Sequence, residues 1–122
     1  MIPLTYRLLA ALCCAGLASL PAFAAGKLDP KDIQATFFTG QPFTAATPSN
    51  IKFKMMFTPD GNATREPLGK AGSKGVGTWK LSSDGFCTSW SGGRPNCYTL
   101  VSSGANKWSV MNGPSLAAVW SK

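Results

Sequence analysis

The stretch GFCTSWSGGRPNCYTL, residues 85–100, decides the fold of this chain. Cys87 and Cys97 flank SGGRP, residues 91–95, which has the composition of a turn. If two strands pair symmetrically about Gly92, Cys87 lies directly opposite Cys97, and opposed Cα atoms of antiparallel strands are about 4.5–5.5 Å apart. That separation suits a disulfide. We therefore predict a disulfide-stapled β-hairpin, with the crosslink worth on the order of 3 kcal/mol.

A redox site or a metal site fits the same cysteines poorly. A redox dithiol usually has two residues between its cysteines, whereas here there are nine. Structural zinc needs about four ligands. The chain has no histidine, and Cys87 and Cys97 are its only cysteines after residue 14. We expect no metal and no cofactor.

The segments around the hairpin have the composition of short strands. Residues 51–58, IKFKMMFT, place Ile51, Phe53, Met55 and Phe57 on one face of a half-buried strand. PDGN at 59–62 is a turn, and residues 69–77, GKAGSKGVG, are predicted to be a flexible loop. Residues 41–50 are expected to be a connector or an irregular edge strand, and 63–67 a short edge strand. Further strands are predicted at 78–81, 86–90, 96–103, 106–112 and 116–122.

One short helix is expected before the sheet, within residues 28–40. Asp29 is a candidate N-cap, Pro30 suits the first helical position, and Gly40 ends the helix. Ile33 and Phe37 lie one turn apart, so this face packs on the sheet. The predicted fold is mainly β: a small antiparallel meander of six or seven strands, barrel-like or strongly bent, with one N-terminal helix.

The N-terminus has the features of a signal peptide. Arg7 precedes an apolar run at 8–20, and Ala22 and Ala24 occupy the small-residue positions of a cleavage site. We expect residues 1–24 to be removed, leaving one β-rich domain, 25–122, without a transmembrane segment. A lipoprotein signal requires small residues before its cysteine, whereas Leu12 precedes Cys13. Cys13 and Cys14 are therefore expected to be lost with the signal.

The expected mature chain is basic, with 11 Lys and Arg against five Asp and Glu. In an exported protein the available anionic partners are envelope polymers and lipid headgroups. Nucleic acid is not expected, because the basic residues are scattered. Candidate anion contacts are Lys52 and Lys54, together with Lys70 and Lys74 of the glycine-rich loop. The alternative is that these lysines only keep the sheet soluble and protect its edges.

No catalytic constellation is apparent, and we expect no enzyme activity. Without histidine there is no Ser-His-Asp triad and no Cys-His pair. The five carboxylates have helix-start or turn positions, apart from Glu66, and their spacing does not suggest a catalytic pair. The tryptophans and Tyr98 are expected to lie mostly in the core. Trp90 and Tyr98 are candidates for an aromatic contact with a ligand.

Short motifs in the chain resemble those of a family of small exported bacterial proteins with a domain of unknown function. The shared pattern is F-x-x-D-G, then G-T-W, then G-x-C-x-x-W, then C-Y. The matching residues are Phe57, Asp60, Gly61, Gly77, Thr78, Trp79, Gly85, Cys87, Trp90, Cys97 and Tyr98. The resemblance covers about residues 30–110. It implies an exported β-sheet protein and implies no activity.

Three functions are compatible with this sequence. The first is a non-enzymatic binding or structural module of the bacterial cell envelope, in the periplasm or outside the cell, that contacts anionic envelope material. The second is a secreted inhibitor or host-facing interaction protein. The third is a small-ligand carrier that resembles lipocalins. It requires an internal cavity, which sequence alternation cannot distinguish from a packed barrel core.

Overall fold

A computed structural model describes residues 26–122, and within them eight strands form one closed antiparallel barrel. One helix, α1, precedes the strands and spans Pro30–Phe37. The strands are β1 Phe43–Ala46, β2 Lys52–Phe57, β3 Asn62–Pro67, β4 Gly75–Leu81, β5 Phe86–Trp90, β6 Asn96–Gly104, β7 Lys107–Asn112 and β8 Ser115–Ser121. The prediction of a small antiparallel meander with one short helix is confirmed, and the sheet closes into a barrel.

Closure of the barrel corrects three details of the sequence prediction. Residues 43–46 are not an irregular edge, because β1 pairs with both β2 and β8. Likewise β3 is not an edge strand, because it pairs with both β2 and β4. The barrel has eight strands instead of six or seven, because β1 is a regular strand. Pairing along the whole ring leaves no edge unsatisfied.

The glycine-rich stretch is partly strand, because β4 begins at Gly75 and not at Thr78. A Cβ atom at Gly77 would overlap the carbonyl oxygen of Ser89 on β5. Gly77 therefore allows two backbones to approach closely, a role for which glycine is suited. The glycines that suggested a flexible loop serve in part to bring β4 against its neighbours.

The hairpin prediction is confirmed in its register and in its crosslink. Cys87 lies opposite Cys97, with Phe86 opposite Tyr98 on one side and Thr88 opposite Asn96 on the other. The two cysteines form a disulfide. Because Phe86 and Thr88 are buried and side chains alternate along a strand, the disulfide lies on the outer face of the barrel.

Helix α1 closes one end of the barrel with aromatic side chains. Ile33 and Phe37 are fully buried, as predicted, and Phe38 follows them into the barrel. The ring centroid of Phe37 is 4.9 Å from Trp108, and that of Phe38 is 4.4 Å from Trp79. The predicted cap is wrong in one respect, since Asp29 makes no side-chain capping bond. Its carbonyl oxygen accepts hydrogen bonds from the next turn, and Pro30 begins the helix.

The residues before the helix complete the sheet where two neighbouring strands separate. β5 pairs with only the first three residues of β6. Beyond Tyr98, the amide of Leu28 donates to the Leu100 carbonyl and the amide of Ser102 donates to the Gly26 carbonyl.

The predicted signal peptide, 1–24, with Cys13 and Cys14, lies outside the described residues. Within 26–122, no helix has the length and apolar character needed to cross a membrane.

Candidate functional site

The barrel contains a cavity of about 160 Å³ in the half that lies away from helix α1. Fifteen residues line it, from every strand except β4 and from the residue after β1. They are Ala45, Ala46, Thr47, Phe53, Met55, Phe57, Arg65, Phe86, Thr88, Trp90, Tyr98, Val110, Ala117, Ala118 and Trp120. Phe53, Arg65 and Trp90 are only half-buried, so the cavity reaches solvent between them.

The cavity exists because side-chain size differs between the two halves of the barrel. In the helix half, Phe37 and Phe38 add their rings to those of Phe57, Trp79 and Trp120 and fill the interior. In the other half, small side chains project inward from neighbouring strands β1 and β8, at Ala45 and Ala118. An eight-stranded barrel is just wide enough to be filled by side chains or to hold one small ligand.

Arg65 on β3 places a guanidinium group at the wall of this cavity. Its neighbour across β4 is Gly75, where a Cβ atom would lie 2.7 Å from the Arg65 Nε. The Arg65 Cζ lies 4.8 Å from the ring centroid of Trp90 and 5.7 Å from that of Phe53. A guanidinium over aromatic faces at these distances is attracted to them. The absence of a side chain at Gly75 therefore leaves room for Arg65, and the two rings hold its charged end.

The positive charge of Arg65 has no carboxylate partner among residues 26–122. All five carboxylates of the chain are exposed, and none lines the cavity. The ion pair found within residues 26–122 joins the Lys27 Nζ to an Asp84 carboxylate oxygen over 4.0 Å, and both side chains are exposed. The Nε atom of Arg65 is buried and makes no hydrogen bond. The cavity therefore carries one uncompensated positive charge.

Both predicted aromatic contacts lie at this cavity. Trp90 and Tyr98 are half-buried in its wall. Trp79 and Trp120 are buried in the aromatic core. Thr88, the buried polar residue of the described core, lies between Phe86 and Trp90 on β5 and is 4 % exposed. Apart from Arg65, the polar side-chain groups of the wall are therefore hydroxyls and the indole N–H groups of Trp90 and Trp120.

The structure does not bring the four predicted lysine contacts together. Lys52 and Lys54 are exposed on the outer face of β2, as the alternation predicted. Lys54 lies opposite Glu66, so a carboxylate neighbours its charge. Lys52 and Lys70 line a shallow depression with Leu68, but Lys74 does not belong to it. These residues form no single cationic patch.

Sequence reasoning did not identify Arg65, although a signal was present. In ATREP, residues 63–67, the period of two places Arg65 on the same face as Ala63. Ala63 is 1 % exposed, so that face is the interior. A cation on the apolar face of a predicted strand is the observation that could have located the site.

Comparisons with known proteins identify no relative of this chain. No family model, no curated protein and no solved structure matches it. The resemblance to small exported bacterial proteins therefore stays a prediction. Among the residues that the structure describes, no group of three or more His, Cys, Asp or Glu side chains comes together to hold a metal ion.

Proposed function

We propose that this protein is a non-enzymatic, exported binding protein that holds the apolar part of one small ligand inside its barrel. The observation that carries the proposal is the cavity of about 160 Å³, lined mainly by apolar and aromatic side chains. Ligand sites are usually concave and apolar, with a few polar groups that orient the ligand. Arg65, Thr88 and Tyr98 are such polar groups here.

The size of the cavity limits the ligand. Apolar cavities of about 150 Å³ accept a molecule such as benzene. The buried part of the ligand is therefore a single ring or a short branched chain. A larger ligand extends into solvent past Phe53, Arg65 and Trp90, which are half-buried.

The side chains of the cavity wall favour binding over catalysis. The wall includes no histidine, no cysteine and no carboxylate. Its hydroxyl groups, on Thr47, Thr88 and Tyr98, therefore have no neighbouring base of the kind that activates a nucleophile. A disulfide on the outer face suits an oxidising compartment such as the periplasm or the extracellular space.

Binding to anionic envelope material has less support than binding in the cavity. It depends on four exposed lysines that form no single patch, Lys52, Lys54, Lys70 and Lys74. Of these, Lys54 lies opposite Glu66. Exposed charges of this kind act weakly and are screened by salt. No feature of residues 26–122 specifically favours an inhibitor or host-facing role.

The proposal is tested by filling the cavity. Ala118→Leu enlarges a side chain of the cavity wall, whereas Val119→Leu enlarges the next side chain of β8, which does not line the cavity. Benzyl alcohol, titrated by calorimetry, is expected to bind the wild type and Val119→Leu alike and to lose at least tenfold in affinity for Ala118→Leu. Unfolding curves verify that both variants fold. Absence of binding to the wild type, or equal binding to a folded Ala118→Leu, contradicts the proposal.

A further inference from the structure

We propose that the ligand is a small carboxylic acid, with its ring or short chain in the cavity and its carboxylate paired with Arg65. This inference rests on the proposed function and specifies the chemical class of the ligand. It starts from the charge of the site: one guanidinium lines the cavity, and no carboxylate of the described chain neutralises it.

The guanidinium of Arg65 indicates where the carboxylate binds. A buried donor without an acceptor is rare in native proteins and requires an explanation. Here Arg65 lines the cavity, and its buried Nε without an acceptor shows that the fold itself does not satisfy the guanidinium. The fork of N–H donors on a guanidinium matches the two oxygens of a carboxylate. A bound carboxylate would pair with the outer N–H groups of the guanidinium and neutralise its charge.

The surroundings of Arg65 hold the guanidinium ready for such a partner. Trp90 and Phe53 contact it through their ring faces, at 4.8 and 5.7 Å from the Cζ. Gly75 leaves one side of the Nε without a side chain. Because the guanidinium is planar and held before binding, less rotamer entropy is lost when a carboxylate pairs with it.

Packing alone does not account for an arginine at this position. The neighbouring inward residues of the same barrel layer are apolar, such as Met55 opposite Arg65 on β2. An unbranched apolar side chain of similar length would occupy the space without an unsatisfied donor. An arginine here is explained by a partner that needs its charge.

The test compares two ring probes of nearly equal shape, benzoate and benzamide, of which only benzoate is charged. The wild type is expected to bind benzoate about tenfold more tightly, the size of effect expected for hydrogen bonds between charged groups. Arg65→Met removes the charge and keeps the length of the side chain, so it should lose the preference for benzoate and still bind benzamide. Lys54→Gln, which removes a charge from the outer face of β2, should keep the preference.

A second measurement uses the wild type alone and does not depend on the variant folding. The Nε–H resonance of Arg65, observed by NMR, should move on addition of benzoate and stay in place with benzamide. Equal affinities of the wild type for the two probes, with an unmoved Nε–H signal, overturn the carboxylate assignment and leave the proposed function intact. If neither probe binds the wild type, both the proposed function and this inference fail.

Discussion

Arg65 is surrounded by groups that hold it in place but do not neutralise it. Its contacts with Trp90 and Phe53 contribute about 0.5–2 kcal/mol each at most. Its buried, unbonded Nε opposes this by about 1–3 kcal/mol. The two effects are of similar size, so Arg65 contributes little net stability to the unliganded barrel.

Replacement of Arg65 by methionine is therefore expected to change the free energy of unfolding by no more than about 1 kcal/mol. Met55→Ala, a truncation of its buried neighbour on β2, should cost about 2–5 kcal/mol. Urea denaturation of the two variants measures both values. A loss for Arg65→Met as large as that for Met55→Ala would show that Arg65 is a structural residue.

Gly85 is a position where the close approach of two backbone segments requires glycine. A Cβ atom there would overlap the carbonyl oxygen of Tyr98, which belongs to the backbone and cannot rotate away. Gly85→Ala is expected to lower the free energy of unfolding by about 2 kcal/mol or more, as overpacking does. Gly69→Ala is the matched control, because no atom lies within 4 Å of its added Cβ. Equal stabilities of these two variants would contradict the close approach of the two backbones.

At the scale of residues, the sequence predicted features that depend on local geometry. Cys87 and Cys97 were paired correctly because a symmetric hairpin fixes their register from ten residues of chain. Arg65 was not recognised, because its importance depends on residues of β2, β4 and β5 that are far apart in sequence. The lysines were singled out from charge alone, which does not report that Lys54 faces Glu66.

The hairpin β5–β6 is the element whose stability depends on a crosslink. The disulfide closes a loop with a sequence separation of 10, for which chain entropy gives about 3 kcal/mol. We expect the double variant Cys87→Ser, Cys97→Ser to lose about this much stability in urea denaturation. Because the disulfide lies outside the barrel, the folded variant should still bind benzyl alcohol. Loss of that binding in a folded double variant would place the disulfide at the site.

The turn between β2 and β3 is held by a cluster of side-chain hydrogen bonds. The Thr58 hydroxyl donates to Asp60, and the Asn62 amide donates to the other carboxylate oxygen over 3.2 Å. The hydrogen bond from Thr58, followed by those from Asn62, lowers the pKa of Asp60 below its ordinary value of 3.8, although the loss of hydration opposes the shift.

This lowered pKa predicts a dependence of stability on pH. Because the folded form binds the proton less readily than the unfolded form, the contribution of Asp60 is complete above pH 3.8. It is lost as the pH falls through the lower pKa of the folded state. Wild type should therefore lose more stability on acidification from neutral pH than Asp60→Asn does. Urea denaturation at a series of pH values measures the difference, and parallel curves would contradict the role of Asp60.

At the scale of elements, strands with regular alternation were predicted and those without it were not. Residues 51–58 alternate clearly, and β2 occupies that stretch. Residues 43–46 contain one large apolar side chain, Phe43, and residues 75–77 contain one, Val76, beside alanine or glycine, so there was no alternation to read. Their strand structure comes from partners elsewhere in the ring, which override a weak local preference.

At the scale of the whole molecule, the closure of the barrel and its cavity both depend on contacts between residues that are distant in sequence. Pairing of β1 with β8 joins Ala45 to the neighbourhood of Trp120 and Ala118, residues more than 70 positions later. Helix α1 adds the rings of Phe37 and Phe38 at one end, whereas the alanines of β1 and β8 leave space in the other half. Composition predicted a β-rich domain, but the cavity depends on which inward positions meet across the barrel, and that information is not local.

The most direct test of the central claim locates a bound ring inside the barrel. In NMR spectra of the complex with benzyl alcohol, the ring protons should show nuclear Overhauser contacts to the methyl groups of Ala45, Met55, Val110 and Ala118, all of which line the cavity. Contacts confined to the outer depression around Lys52 and Leu68 would contradict the claim, because that depression lies on the outside of the barrel.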